Sequence, residues 1–131
     1  YKVPELECET MRYVEMDELL ANSDFVSLHV PSLPGQPLIN AETLAKMKDG
    51  VIIVNTSRGT NVDEAALLDA LNSGKVYGAG LDVFAEEPAM NAALYTHPRV
   101  SSTPHIGAST KEAQKRIGAE IVDILVKYFN L

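Results

Sequence analysis

Four consecutive apolar residues, Val51-Ile52-Ile53-Val54, constrain this chain more than any other segment. The run is of strand length and lacks polar alternation, which suits a strand buried on both faces of a parallel sheet covered by helices. The flanking segments agree. Asn40 stands where it can cap a helix running through Lys46, with Gly50 as its stop. Asp63 to Asn72 places Ala66, Leu67, Ala70 and Leu71 on one helical face, and Gly74 ends it. Phe25 to Val30 reads as a strand stopped by Pro31, and Pro31, Pro34 and Pro37 with Gly35 form a loop. Met16 to Asn22 reads as a short helix with Leu19 and Leu20 inward. Val76 to Val83 is the next strand, and Val100 to Ser102 a short one before Pro104. Ser109-Thr110-Lys111-Glu112 has the form of a capping box. The long helix it opens carries Ala113, Ile117, Ile121, Leu125 and Tyr128 on one face, widened by Val122, Val126 and Phe129. Strand and helix alternate, so the expected fold is a parallel α/β sheet.

The chain has 131 residues, enough for one domain with a real core. A hydrophobic share of 46% against 22% charged residues excludes a disordered segment. The single cysteine, Cys8, excludes an internal disulfide and a cysteine-rich zinc site. A net charge of −7 argues against a nucleic-acid or anionic-membrane surface. No apolar run approaches the roughly 20 residues that span a bilayer. Tyr1-Lys2-Val3-Pro4 lacks the basic region and apolar block of an export signal, so a cytoplasmic location is expected. Glu5, Glu7, Glu9, Glu15, Asp17, Glu18 and Asp24 crowd the first 24 residues without ligand-like spacing. A solvated face explains them, and no metal site is expected.

In parallel sheets ligands bind beyond the carboxyl ends of the strands, so the residues just after each strand carry the argument. Asn55-Thr56-Ser57-Arg58-Gly59 follows the apolar run. Arg58 can turn its planar fork toward a carboxylate, and a surface salt bridge explains an arginine there equally well. Asp82 follows the next strand, with Glu86, Glu87 and Pro88 close behind. That aspartate either caps the following loop or faces a ligand. Thr103-Pro104-His105-Ile106-Gly107-Ala108 follows the last strand, with His105 shortly before a helix N-terminus. Histidine is the usual acid/base near neutral pH, and a carboxylate such as Glu87 beside it would orient the ring. Arg58 would then hold a substrate carboxylate next to it. This set fits oxidation of a 2-hydroxy acid, although a purely structural histidine fits the spacing as well. His29, ending a strand, and His97, before Pro98, read as structural and loop residues.

Three segments resemble the signature blocks of the NAD-dependent D-isomer-specific 2-hydroxyacid dehydrogenases. They are Asn55 to Gly59, Leu81 to Pro88 and Pro104 to Thr110, in matching order and separation. The similarity runs from about Asp17 to the end of the chain, and Gly107 to Gln114 looks most like the D-3-phosphoglycerate dehydrogenase branch of serine biosynthesis. The resemblance implies that Arg58 binds substrate, that Glu87 pairs with the histidine, and that His105 is the acid/base. It implies NAD as cofactor, contacted by Val30, Pro31, Thr56, Ser57, Arg58, Asp82, His105, Ile106, Gly107 and Ala108. It implies a small 2-hydroxy or 2-oxo acid as substrate, and a homodimer or higher homo-oligomer in the parent protein.

The sequence also departs from that family's pattern. A domain of this kind opens with strand, Gly-x-Gly-x-x-Gly and helix, and this sequence contains no such motif. Gly78-Ala79-Gly80 starts like one, but Val83 stands at the third glycine position and the segment lies within a strand. Tyr1 resembles a position just after the second strand of such a domain. The expectation is a partial doubly wound, Rossmann-like sheet lacking its first βαβ half. Residues 1–108 would be the C-terminal half of the dinucleotide-binding domain, and 109–131 a crossover helix toward a substrate domain. Two alternatives stay open. One is another family dehydrogenase acting on glyoxylate, hydroxypyruvate or D-lactate. The other is a non-enzymatic NAD(H)-sensing protein of the corepressor kind.

Overall fold

A computed structural model describes residues 3–32 and 34–130; Tyr1 lies outside the described residues. Four strands form one parallel sheet in the order in which they occur: β1 (Phe25–Leu28), β2 (Val51–Asn55), β3 (Val76–Leu81) and β4 (Val100–Ser102). Helices α1 (Met16–Asn22), α2 (Ala41–Lys46), α3 (Glu64–Ser73) and α4 (Ala92–Tyr95) precede or link the strands, and α5 (Lys111–Phe129) follows β4. This is the expected α/β, Rossmann-like sheet. The sequence reading had no counterpart for α4, which is only four residues long.

Local chemistry sets the helix limits. Asn40 Oδ1 accepts the Thr43 backbone N–H at 3.1 Å, while Thr43 Oγ1 accepts the Asn40 N–H at 2.9 Å. The Asp63 carboxylate accepts the N–H groups of Ala65 and Ala66, both at 3.1 Å. Gly74 closes α3 in the left-handed conformation at φ 84°, where a side chain would be strained. Gly50 has φ 81° but belongs to the turn into β2, and α2 ends at Met47 in extended backbone. The cap of α5 is Thr110, not Ser109; its side chain accepts from the Ala113 N–H.

One core joins helices to strands. Leu20, Leu44, Leu67, Leu71 and Leu94 from α1 to α4 pack with Val26, Leu28, Val51, Ile53, Val76 and Leu81 from the sheet. Leu20 faces this core at 2% exposure, while Leu19, expected inward, is 38% exposed. The apolar run itself is buried on one face only: Val51, Ile53 and Asn55 are buried, Ile52 and Val54 half-buried. A sheet wound in sequential order with right-handed crossovers places its connecting helices on one side, which leaves the other open here. Phe25 and Tyr77 stand on strands with 69% and 64% exposure. Strands β1 and β3 also end earlier than expected, at Leu28 and Leu81, so His29 and Asp82 fall just past the sheet. Gly78-Ala79-Gly80 lies inside β3, as expected of a segment that is no phosphate loop. None of the residues of α5 is buried, and its apolar stripe is exposed.

Parallel register aligns the strand ends. Asn55 pairs with Leu81, and Leu81 with Ser102, so the loops after β2, β3 and β4 leave the sheet at one level.

Candidate active site

Asp82 organises the loop after β4. Its carboxylate is buried, and Oδ1 accepts the Thr103 hydroxyl at 2.5 Å and the Ile106 N–H at 2.9 Å. Oδ2 accepts the Gly107 N–H at 3.0 Å. The Thr103 hydroxyl, then the two backbone N–H groups and the charge of His105, hold the Asp82 carboxyl below its usual range, against the opposing effect of burial. The loop it caps is the one after β4, 103–107, rather than the loop that follows Asp82 itself. The wrapped loop sets His105 at φ 55°, a left-handed conformation uncommon for histidine. A loop closed on a buried carboxylate is the kind of surrounding that keeps such a conformation.

His105 and Glu87 meet as expected. Nδ1 of the imidazole lies 2.7 Å from Glu87 Oε2, with both side chains between two-fifths and half exposed. The other oxygen, Oε1, accepts the Phe84 N–H at 3.3 Å. The hydrogen bond from His105, and after it that from Phe84, pulls the Glu87 carboxyl below its usual range, while the nearby Asp82 charge opposes the shift. Glu87 is therefore an acceptor at neutral pH. Nδ1 must carry the proton in that hydrogen bond, which leaves Nε2 of a neutral ring with the free lone pair. A cleft of about 480 Å³ opens beside the pair, walled by Phe84, Pro88, Ala89, Tyr95 and Pro104.

Arg58 lies on the neighbouring loop. It is exposed, and its Nη1 donates to the Ser57 carbonyl at 2.6 Å rather than to Glu87 or His105. Its guanidinium is thus left facing solvent, free of a carboxylate partner among the described residues. What brings its turn against the Glu87 loop is Gly59. A Cβ on Gly59 would stand 1.9 Å from the Phe84 carbonyl carbon and oxygen and 2.5 Å from the Ala85 nitrogen. Only a glycine lets these two backbones touch. The far side of the Glu87 loop is held by α3, whose Glu64 accepts the Ala85 N–H at 2.8 Å.

Two fully buried amides shape the same edge. Asn55 Oδ1 accepts the Ser57 N–H and hydroxyl, at 3.1 and 2.8 Å, and Nδ2 donates to the Arg58 carbonyl at 2.9 Å. Asn61 Nδ2 donates to the Val30 carbonyl at 3.0 Å and to Ser57 Oγ at 3.2 Å. Val30 is thereby held beside Ser57, while Pro31 and Thr56 are exposed nearby. Ile106 is 48% exposed, and Gly107 and Ala108 are exposed too. Unspent apolar surface and peptide groups along the carboxyl edge suit the ring and ribose of a dinucleotide, so the residues present fit NAD.

Gly59, Asn61, Thr103 and the cleft walls were not found by sequence reasoning. Gly59 had a usable signal in its place directly after Arg58, and Asn61 had none. The remaining candidates are quiet. His29 Nε2 pairs with Ser27 Oγ at 2.8 Å, and His97 Nδ1 accepts the Arg99 N–H at 3.1 Å. Cys8 is exposed, with the Thr10 hydroxyl lowering its thiol. The acidic first segment is solvated, with Asp17 bonded to Lys46 at 3.0 Å. No cluster of metal-ligand type occurs among the described residues, and no helix among them is long and apolar enough to cross a membrane.

Residues 1–107 match the family profile described as D-isomer specific 2-hydroxyacid dehydrogenase, NAD binding domain. A hydroxypyruvate reductase of Thermotoga maritima is 53% identical over 121 residues, covering 89% of this chain and 40% of that protein. A D-3-phosphoglycerate dehydrogenase of Mycobacterium tuberculosis is 52% identical over 111 residues, covering 84% of this chain and 21% of that one. Among solved structures, a glyoxylate reductase from Paecilomyes thermophila superposes with a TM-score of 0.85 at 46% identity, over 95% of this chain and 38% of its own. The chain thus spans well under half the length of these relatives.

Proposed function

This chain belongs to the D-isomer specific 2-hydroxyacid dehydrogenases, as NAD-binding domain, and on that premise we propose that the protein carrying it oxidises a D-2-hydroxy acid to the 2-oxo acid. The observation that carries the reading is the 2.7 Å bond between His105 and Glu87 at the carboxyl edge of the sheet. With Nδ1 committed to Glu87, Nε2 takes the hydroxyl proton of the substrate. Glu87 stabilises the imidazolium that results and keeps the ring aimed. Arg58 holds the substrate carboxylate through its two-pronged fork and polarises the adjacent carbinol. NAD, when bound, supplies the hydride acceptor. Asp82 keeps the 103–107 loop closed, and with Ile106 and Gly107 it sets where the nicotinamide end would lie. Val30, Pro31, Thr56, Ser57 and Ala108 border the rest of the cofactor. In the reverse direction Nε2–H returns the proton to the carbonyl oxygen.

Among substrates we favour 3-phosphoglycerate. The support is the Gly107 to Gln114 segment together with the mycobacterial relative named a phosphoglycerate dehydrogenase. Hydroxypyruvate is the second reading, supported by the Thermotoga relative named a hydroxypyruvate reductase. The parent protein works in the cytoplasm as a homodimer or larger homo-oligomer on this proposal. Spectrophotometric NADH formation by the full-length protein tests it, with 3-phosphoglycerate, D-glycerate and D-lactate as substrates. A kcat/KM highest for 3-phosphoglycerate is expected. Preference for D-glycerate moves the assignment to the hydroxypyruvate type, and NADH binding without turnover on any of them favours a sensor of the corepressor kind.

A further inference from the structure

The loop after β1 and the turn after β2 are separate in sequence, yet buried hydrogen bonds join them. Asn61 is 2% exposed, and its amide spends its N–H donors on two acceptors, the Val30 carbonyl and Ser57 Oγ. Ser57 passes the connection to Asn55, whose own amide donates to the Arg58 carbonyl. The Asn61 backbone N–H also donates to that carbonyl, at 3.1 Å. Closer to solvent, the hydroxyls of Ser32 and Thr60 touch and form a second tie between the same two segments. A buried amide with both N–H donors matched, as in Asn61, holds one geometry, because any other leaves a polar group unpaired away from water.

We propose that Asn61 is a positioning residue for Arg58: it locks the Arg58 turn to the loop after β1, so that the substrate-carboxylate clamp and the backbone bordering the cofactor form one rigid body. The inference rests on the role proposed above for Arg58. It adds a residue that touches neither substrate nor cofactor and acts through what it holds in place.

The test uses the full-length protein carrying Asn61→Leu, which keeps the number and branching of the side-chain heavy atoms and removes the donors. Two readouts are taken. The first is kcat/KM for hydroxypyruvate and for its methyl ester, which lacks the charge that Arg58 grips. The variant is expected to lose about 10- to 100-fold of the preference for the acid, the size of effect that a misplacement near 1 Å produces. The pH profile should stay unchanged, since the His105–Glu87 pair is not touched. A general loss of packing would lower both substrates alike and leave the preference intact, and that result overturns the proposal. The second readout is amide hydrogen exchange, which should speed up together in residues 29–32 and 56–61. Faster exchange in only one of the two segments also overturns it. Should Asn61→Leu fail to fold, Ser32→Ala cuts the outer tie and is read in the same two ways, with a smaller loss expected in each; no change in either sinks the idea. A wild-type protein that reduces no 2-oxo acid defeats the proposed function, while the exchange measurement still reports on the tie itself.

Discussion

Replacing Gly59 by alanine adds one methyl group at the junction between the Arg58 turn and the Glu87 loop. The backbone of Gly59 is not in a left-handed region, so the substitution costs nothing through φ. Its whole effect is steric. The added carbon would stand 1.9 Å from the Phe84 carbonyl carbon. Packed heavy atoms sit about 3.5–4.0 Å apart, so one backbone must retreat by more than about 1 Å. Neither side yields easily. The Arg58 turn is fixed by Asn55 and Asn61, and the Glu87 loop is fixed by Glu64 through the Ala85 N–H and by its own Phe84 N–H. Forcing atoms into a packed site costs about 1–3 kcal/mol. Displacement of a substrate clamp relative to its acid/base by about 1 Å costs on the order of 10²-fold in rate.

The assay is kcat/KM for 2-oxo acid reduction by full-length Gly59→Ala, with thermal denaturation alongside. Gly118→Ala is the control, because it lies on α5, outside both loops, and nothing among the described residues lies within 4 Å of its added carbon. That change should leave kcat/KM alone. A Gly59→Ala protein with wild-type kcat/KM and melting temperature would refute the claim that this contact aligns the two loops.

His105→Ala in the full-length protein should lower kcat by roughly 10²–10⁴-fold, the usual worth of a general acid/base, measured by NADH oxidation at saturating substrate. Glu87→Gln should fall in the same range. With the amide oxygen kept on the Phe84 N–H, its N–H₂ meets Nδ1 as a donor, and the ring shifts its proton to Nε2 and loses the free base. Asp82→Asn should cost about 1.5–3 kcal/mol at pH 7, the worth of a hydrogen bond to a charged group. The Asp82 carboxyl is depressed, so its contribution is complete above the usual aspartate value of 3.8 and fades as pH falls through its lower folded value. Urea denaturation of wild type and variant at neutral and strongly acid pH should therefore show the gap closing in acid. The 131-residue chain alone should bind NADH weakly, because its sequence holds no glycine-rich phosphate loop; micromolar affinity by calorimetry would contradict this.

Much of the fold is legible in the sequence. The apolar run at 51–54, the Asn40 cap and the Gly74 stop each follow from short-range chemistry, and each stands in the structure, while Asp63, read as the first residue of α3, is its cap. What the run could not say is how many of its faces are covered. That depends on the side to which the crossovers turn, and here one face packs on α1 to α4 while Phe25 and Tyr77 stay exposed. Short-range signals also misplace ends by a residue or two. Thr110 rather than Ser109 caps α5 because capping is decided by which hydroxyl reaches the N3 amide, and both residues are chemically able.

The site divides along the same line. His105, Glu87 and Arg58 could be singled out in the sequence because the chemistry proposed for them restricts residue type: few side chains move a proton or grip a carboxylate. Asp82 was found too, but with two readings, and only the Thr103, Ile106 and Gly107 donors show which bonds its carboxylate makes. Gly59 and Asn61 belong to a different class. Their partners, Phe84 and Val30, lie 25 and 31 positions away in sequence, and neither residue type signals such a contact alone. Yet the arrangement of the site depends on them. In the proposed reaction the 2.7 Å hydrogen bond between histidine and glutamate serves proton transfer only if the arginine stands at a fixed distance from both, and no bond joins the arginine to either. Its placement is inherited from Gly59 on one side and from the two buried amides on the other. Substitutions at those positions should therefore act on substrate preference and rate while leaving the acid/base pair intact.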